Sequence, residues 1–228
     1  IVLTSRERGD QKKINFCGVP YHSAKAYWIK LLKLGYKVAI ADQLEEAAAA
    51  KGLVKRDITK ILTPGCIDEL EGLAGDRPNY LMAIFENPKS KVWSVAICDI
   101  STGELRLGRA EHDDQLQELI GQFRPREVVA RRFCHSRIKQ ILSQRFAQQN
   151  ILLEPLPEGI LRDPRAQRDM LKQVLSVESL AEQPCGEIEG GIEVLSALWE
   201  YLKNLKASLS CFLKVSPLHD PEEFSLNE

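Results

Sequence analysis

The chain reads Phe16-Cys-Gly-Val-Pro-Tyr-His-Ser23 at the point where its first clear strand pattern gives way to its first helix pattern. Residues 14–19 are predicted to form a short strand, which Pro20 ends because proline cannot donate a ladder hydrogen bond. Ser23 stands where helix N-caps are preferred. Apolar residues then recur at helical spacing up to a glycine stop, in the order Tyr27, Leu31, Leu34 and Gly35.

Residues 36–65 continue the alternation of strand and helix patterns. Residues 36–41 are a β-rich run too short for a helix, which indicates a buried strand. Residues 44–51 contain four alanines and favour a helix. Residues 54–63 are β-branched and end at the turn signal Pro64-Gly65. Strand, helix, strand, helix and strand within fifty residues predict an α/β layer.

A second set of elements follows from residue 79. Residues 91–98 and 104–108 flank Ser101-Thr102-Gly103, which is typical of a hairpin with a glycine turn. Residues 187–205 give the clearest helix pattern, and from Ser208 the periodicity ends. The apolar stripe of that helix is Ile188, Ile192, Leu195, Trp199 and Leu202. The remaining predictions are helices around 116–123, 138–146 and 164–175 and strands at 127–130 and 151–153.

The stretch between these two sets, residues 66–78, is predicted to be a linker. It has no clear period and carries glycines and a proline among acids. The charge also changes sign across it. Residues 1–60 hold 12 Lys and Arg against 6 Asp and Glu, and residues 61–228 hold 19 against 26. A phosphate-bearing partner should therefore meet the first sixty residues, unless the segregation is chance among solvated charges.

Composition excludes several classes of protein. No run approaches the 18 apolar residues of a membrane span, and the start lacks the basic-then-apolar build of a signal peptide. The six cysteines are scattered without a C-x-x-C pair, which argues against a zinc site and a disulfide framework. We expect reduced thiols, most of them buried.

Five further blocks accompany the opening stretch. The whole ordered set resembles the front end of the MutS family of bacterial DNA mismatch-recognition proteins, over about a hundred residues with matching spacing. The blocks are Gly35-Tyr-Lys-Val-Ala-Ile-Ala-Asp-Gln43, Lys51-Gly-Leu-Val-Lys-Arg-Asp57, Leu62-Thr-Pro-Gly65, Asn79-Tyr-Leu-Met-Ala-Ile84 and Asp99-Ile-Ser-Thr-Gly-Glu104.

The resemblance implies a fold and an order of domains. Residues 1–65 are similar to the later part of a mismatch-recognition domain with a mixed sheet, and residues 66–78 to a linker. Residues 79–205 are similar to the connector domain, which is ribonuclease H-like, and residues 206–228 to the start of the lever domain. The chain begins at Ile1 without an initiator Met, and we expect it to be an excised piece of the full-length protein.

The resemblance also implies a function. The full-length protein would bind mismatched double-stranded DNA, signal through ATP, form a homodimer, and dock MutL through its connector. Its place would be the bacterial cytoplasm, in association with the nucleoid and with no membrane.

Two departures limit the expected role of this chain. The family reads mismatches with a Phe-x-Glu element, and residues 1–20 contain none, since Phe16 is followed by Cys17 and Gly18. The phosphate-binding pattern G-x-x-x-x-G-K-[ST] is also absent, because none of the 14 glycines precedes a lysine. We therefore expect a non-enzymatic piece without cofactor or metal. The resemblance assigns ATP and magnesium to the rest of the full-length protein.

Five residues are candidates for DNA contact. The family's DNA-facing surface includes the loop that matches Tyr21 and His22, and this loop leads into a helix N-terminus, which favours phosphate. Thr4-Ser5-Arg6 resembles the family's Thr-x-Arg element, whose arginine lies near the DNA backbone. The candidates are Ser5, Arg6, Tyr21, His22 and Lys55.

Each of these candidates has a structural alternative. Tyr21 could pack while His22 helps to cap the helix. The segment around Arg6, with Arg8, Lys12 and Lys13 nearby, could be a frayed and solvated terminus. Lys55 and its neighbour Arg56 could be solvated charges at a strand edge.

Asp99 allows a different hypothesis, because ribonuclease H-like enzymes carry a magnesium-binding Asp on their first strand. Two-metal hydrolysis needs several converging carboxylates. The flanking strands offer only Glu104, Glu127 and Glu154, so a nuclease is disfavoured. The favoured interpretation is that Asp99 organises the turn at Ser101.

A basic cluster on the second unit has two readings as well. It could contribute to a docking face for MutL, or it could be a solvated face. Its members are Arg131, Arg132, Arg137, Lys139 and Arg145. Three hypotheses therefore stand for the chain: a DNA-repair module, an interaction adaptor without DNA contact, and a ribonuclease H-like nuclease.

Overall fold

The computed structural model describes residues 3–8, 12–45, 54–67 and 78–218. The described residues form two units, a thin one up to residue 67 and a larger one from residue 78. No helix in these ranges is both long enough and apolar enough to cross a membrane.

The first unit consists of two antiparallel hairpins and one helix. The first hairpin pairs Ser5 with Asn15 and Arg6 with Ile14. The second hairpin carries a register shift between Ile40 and Ala41. The elements are β1 (Leu3–Arg8), β2 (Lys12–Cys17), a 3-10 turn (Tyr21–Ser23), α1 (Ala24–Lys33), β3 (Val38–Gln43) and β4 (Arg56–Leu62).

Sequence patterns predicted four of these elements, β2, α1, β3 and β4. Most of the predicted ends lie within about two residues of the ends in the structure. They missed β1, because Thr-Ser-Arg-Glu-Arg has no apolar alternation and the strand exists through its pairing with β2. The predicted helix over residues 44–51 lies largely outside the described residues. The described core of this unit is small, with Leu32, Leu62 and Ile67 buried and Trp28, Val38 and Ile40 packed against them.

The second unit is built on a six-stranded mixed sheet. Strands β5, β6 and β7 form an antiparallel meander, β8 and β9 run parallel to β5, and β10 runs parallel to β7. The sheet order is β10-β7-β6-β5-β8-β9. The strands are β5 (Leu81–Glu86), β6 (Trp93–Asp99), β7 (Glu104–Ala110), β8 (Glu127–Ala130), β9 (Leu152–Pro155) and β10 (Val215–Pro217). The mixed-sheet α/β fold predicted for the chain is confirmed.

Helices cover both faces of this sheet. One face carries α4 and α6 over a core that includes Leu81, Ala83 and Phe85, and the other carries α2 and α3 over Met82 and Ile84. Because both faces are covered, β5 and β6 are buried at every position and read as continuous apolar runs without alternation. The helices are α2 (Asp113–Phe123), α3 (His135–Arg145), α4 (Pro164–Leu175), α5 (Pro184–Glu187) and α6 (Gly191–Asn204).

The predicted helix over residues 187–205 is wrong at its start. The chain forms the short α5, turns at Gly190 with φ 72°, and begins α6 at Gly191. A Cβ on Gly190 would lie 2.2 Å from the Ser94 Oγ. The helix is also buried beyond its apolar stripe, since Val194, Ser196 and Leu198 are enclosed as well. Of the predicted apolar stripe, Ile192, Leu195, Trp199 and Leu202 lie on α6, whereas Ile188 lies before the break at Gly190.

The ends of the second unit extend beyond the stretch with clear periodicity. Cys66 and Ile67, the first residues of the predicted linker, are buried, and the rest of that linker up to residue 77 lies outside the described residues. After α6, Cys211 and Phe212 are buried in the core and β10 completes the sheet edge. The domain boundaries proposed from sequence remain predictions.

Gly190 offers a test of this backbone break. We expect Gly190→Ala to lower the free energy of unfolding by about 2–5 kcal/mol, because a left-handed backbone costs an L-residue about 1–2 kcal/mol and overpacking costs about 1–3 kcal/mol. Urea unfolding measures the change. Gly159→Ala is the control, since Gly159 has open space around its Cβ position, and a shift there of equal size would contradict the explanation.

Candidate nucleic-acid interface and the junction of the two units

The loop before α1 presents an open helix N-terminus. Tyr21 is 91% exposed and His22 is exposed, so neither packs against the described residues. The Ser23 N–H donates to the Pro20 carbonyl at 2.9 Å, and no side chain accepts a hydrogen bond at either helical start. The first turn of α1 contains no acid. The Ala24 N–H likewise donates to the Tyr21 carbonyl, so the start of α1 is capped by backbone groups alone, and the positive end of the helix dipole lies beside His22.

The other candidates for DNA contact lie on the two hairpins. Ser5 is exposed in the middle of β1, and the backbone of Arg6 follows it in the same strand. Lys55 is exposed at the base of the second hairpin, where its N–H donates to the Glu45 carboxylate at 2.7 Å. Among the described residues, no contact joins the loop of Tyr21 and His22, the β1 strand with Ser5 and Arg6, and Lys55. The structure therefore places the candidates on one unit without assembling them into a single site.

A junction behind this surface was missed by sequence reasoning. Glu127, at the start of β8, has no solvent exposure. Its Oε2 accepts hydrogen bonds from the Thr63 hydroxyl and from the Gly65 N–H at 2.9 Å, and its Oε1 accepts one from the Tyr201 hydroxyl. We call Glu127, Thr63, Gly65 and Tyr201 the carboxylate clasp. The clasp joins the end of the first unit to β8 and α6 of the second.

Glycine is required at position 65 of the clasp. A Cβ there would lie 2.6 Å from the Glu127 Cβ and 3.3 Å from the Leu81 Cβ. The absence of a side chain lets the Gly65 backbone come close enough to donate to the carboxylate. The Pro64-Gly65 turn signal is thus also a contact site.

Burial at the junction shifts the pKa of two members of the clasp. Burial raises the pKa of the Glu127 carboxyl above its ordinary value, and the hydrogen bonds from Thr63, Tyr201 and Gly65 oppose that rise without cancelling it. Burial, followed by the neighbouring Glu127 carboxylate, raises the pKa of the Tyr201 phenol, so Tyr201 stays protonated and donates.

A second polar network lies beside the clasp. The Asn79 amide donates to the Pro64 carbonyl at 3.1 Å, and the Asn79 N–H donates to the Asp99 Oδ2 at 2.8 Å. The Asp99 Oδ1 accepts from the Ser101 N–H at 2.9 Å and from its hydroxyl at 2.6 Å. The interpretation that Asp99 organises the turn is therefore confirmed. In the ranges that the structure describes, no group of three or more potential ligands could hold a metal ion.

The remaining contacts between the units include exposed side-chain contacts and one backbone hydrogen bond beside the buried Leu205. Lys37 pairs with Glu154 at 2.8 Å, and Lys206 reaches the Ile58 carbonyl. The Ile61 N–H also donates to the Leu205 carbonyl at 3.0 Å. Exposed ion pairs contribute about 0–1 kcal/mol, whereas a hydrogen bond to a charged group contributes about 1.5–3 kcal/mol. The clasp is thus the strongest single polar contact described between the units.

The basic cluster on the second unit is not a uniform cationic face. Arg137 pairs with Glu86 at 2.8 Å and with Asp113 at 2.6 Å, and its guanidinium stacks on the Trp93 ring. Arg131 lies over the rings of Phe85 and Phe133. The ion pairs and ring contacts of these two arginines therefore stabilise the second unit. Arg137 is nevertheless exposed, as are the other three members, Arg132, Lys139 and Arg145.

The raised pKa of Glu127 predicts a pH dependence. The native state holds more protons than the unfolded state between the unfolded pKa, about 4.3, and the higher folded pKa. The contribution of Glu127 to the free energy of unfolding therefore falls as pH rises through that window. We expect urea unfolding at a series of pH values to show this. The free energy of unfolding of the wild type minus that of Glu127→Gln should fall as pH rises through the same window.

Glu118→Gln is the control for this measurement, because Glu118 is exposed on α2 and its neutralisation should leave the pH profile unchanged. A difference between wild type and Glu127→Gln that rises with pH in the same window would contradict the effect of burial.

Comparisons with known proteins agree with this architecture. The family models described as MutS domain I and MutS domain II match residues 1–71 and 79–214. The chain is 33% identical over 213 residues to the DNA mismatch repair protein MutS of Clostridium tetani, covering 93% of this chain and 23% of the relative. It is 40% identical over 129 residues to that of Syntrophobacter fumaroxidans, covering 57% and 14%. The chain thus spans less than a quarter of the length of these relatives. It belongs to the MutS family.

Proposed function

We propose that this chain is a non-catalytic module of DNA mismatch repair in the bacterial cytoplasm, associated with the nucleoid. The observation that carries the proposal is the match of its two units to MutS domains I and II. The full-length protein would bind mismatched duplex DNA as a homodimer and use ATP and magnesium in a region outside the matched domains.

Within this function the first unit supplies contacts to the DNA backbone. The open N-terminus of α1 beside Tyr21 and His22 suits a phosphate group. Arg6 and Lys55 add positive charge without reading the base sequence. Such contacts suit a protein that must bind any duplex and test how easily a mispair deforms.

We also propose that the second unit docks MutL. Within the basic cluster, the exposed Arg132 and Lys139 lie on the 3-10 turn Arg132–Cys134 and on α3, beside Phe133, which is 52% exposed. Aromatic residues and arginine are enriched at protein–protein interfaces, which favours the face that carries Phe133 and Arg132.

DNA binding tests the first proposal. We expect fluorescence anisotropy to give a dissociation constant of roughly 10⁻⁴–10⁻⁶ M, with homoduplex and G·T heteroduplex bound equally, because the chain has no Phe-x-Glu element within residues 1–20. Arg6→Ala and His22→Ala should weaken both complexes alike. Arg6→Ala should also reduce the salt slope by about one unit.

Arg145→Ala is the matched control, since Arg145 is exposed on α3 of the second unit. A tenfold preference for the heteroduplex would place mismatch reading in residues of this chain and contradict the assignment. No binding at low salt would favour the alternative of an interaction adaptor without DNA contact.

MutL binding tests the second proposal. We expect the double variant Arg132→Glu and Lys139→Glu to weaken binding of purified MutL at least tenfold, because two cations become anions on the proposed face. The pair Lys172→Glu and Lys203→Glu, on α4 and α6, changes charge equally on the opposite face of the sheet. Equal weakening by both pairs would show that net charge, not this face, controls the interaction.

A further inference from the structure

We infer that the carboxylate clasp is a positioning element, through which Glu127 sets the orientation of the DNA-facing loop relative to the second unit. The orientation claim stands on the contacts alone, and its consequence for DNA rests on the proposed function. None of the clasp residues is itself a candidate for DNA contact.

The geometry of the clasp restricts how the end of the first unit can move. Three donors from two separate parts of the chain converge on one carboxylate without solvent exposure. The two donors from Thr63 and Gly65 use the same oxygen, so both ends of this turn are held within hydrogen-bond distance of one atom of β8. Since Gly65 packs directly on the Glu127 side chain, the turn cannot move closer to β8.

A continuous set of contacts connects the clasp to the loop of Tyr21 and His22. Thr63 directly follows β4, which is paired along its length with β3. Leu62 at the end of β4 shares the small core with Leu32 of α1. An α-helix of ten residues is about 15 Å long, and the Tyr21 and His22 loop lies at its far, N-terminal end. A rotation at the clasp is therefore carried through β4 and α1 to that loop.

Other contacts constrain the orientation of the first unit only weakly. The described core of the first unit is too small to anchor it by area, since three residues are buried there. The other side-chain ion pairs between the units, through Lys37 and Lys206, are exposed to solvent. Outside the clasp, the units are also joined by the Asn79–Pro64 and Ile61–Leu205 hydrogen bonds and by the packing of Cys66 and Ile61 on the second unit's core. Loss of the clasp should thus leave the two units linked while their mutual orientation becomes broader.

Double electron–electron resonance, which measures the distance between two spin labels, tests this orientation. Cys17 is exposed in β2, and the five other cysteines are free and buried, so a spin label attaches at Cys17. A second label at Glu118→Cys, on the exposed side of α2, reports on the second unit. We expect one narrow distance distribution in the otherwise unchanged protein.

Two variants disrupt the clasp from opposite sides. Glu127→Gln replaces one acceptor oxygen by a donor, and Thr63→Val removes one hydroxyl at nearly constant shape. Each should at least double the width of the distance distribution. Thr59→Val is the matched control, because the Thr59 hydroxyl bonds Asp42 within the second hairpin at 2.6 Å. The control should leave the width unchanged.

A second pair of labels separates orientation from misfolding. With Cys17→Ser, labels at Glu118→Cys and Gln144→Cys lie on α2 and α3 of the second unit, and their distance should stay narrow in every variant. Unchanged widths in both Glu127→Gln and Thr63→Val would overturn the inference. Equal broadening by Thr59→Val, or broadening within the second unit, would overturn it as well.

DNA binding by the same variants distinguishes the two proposals. If the wild-type chain binds no DNA while the clasp variants broaden the distribution, the proposed function fails and the positioning role stands. If the wild type binds DNA and the distribution does not change, the positioning role fails and the proposed function stands.

Discussion

Burying a carboxylate costs several kcal/mol unless donors replace the lost water, and Glu127 meets this requirement with three donors. Two of the donors come from the chain segment that ends the first unit, and the third comes from α6 of the second. The second unit could not bury this residue as tightly without that segment, and the segment has no comparable partner within its own hairpin. The carboxylate clasp therefore attaches the Thr63–Gly65 turn to the second unit, where Cys66 joins the core, while Ile67 stays in the core of the first unit.

This junction gives the family blocks a physical meaning. Leu62-Thr-Pro-Gly65, the Asn79 block and the Asp99 block have no catalytic pattern, yet they meet at one place. Pro64 is held by Asn79, Asn79 by Asp99, and Thr63 and Gly65 by Glu127. Residue types that looked like turn formers are there as hydrogen-bond donors and acceptors across the junction. The DNA candidates, by contrast, lie on exposed elements that no described contact brings together.

Sequence reasoning succeeded where a signal is local. The start of α1 after Ser23, the turn at Ser101 and the whole of α4 (Pro164–Leu175) agree with the structure, although the Ser23 side chain makes no capping hydrogen bond. It failed at β1, whose polar sequence is held by pairing, and at Gly190, where a left-handed residue splits a continuous apolar period. It also treated Arg137 as part of a free cationic face, although Glu86 and Asp113 neutralise it.

The amino-acid sequence by itself determined the α/β class, the charge difference between the two units and membership of the MutS family, because composition, periodicity and spaced blocks are properties of the chain. Only the tertiary structure decided the role of Glu127. Its partners Thr63 and Tyr201 lie 64 and 74 residues away, and no local pattern relates residues at such separation. Burial and hydrogen bonding depend on which segments the fold brings together, so a strand-initial glutamate became identifiable as a junction only when its neighbours in space were known.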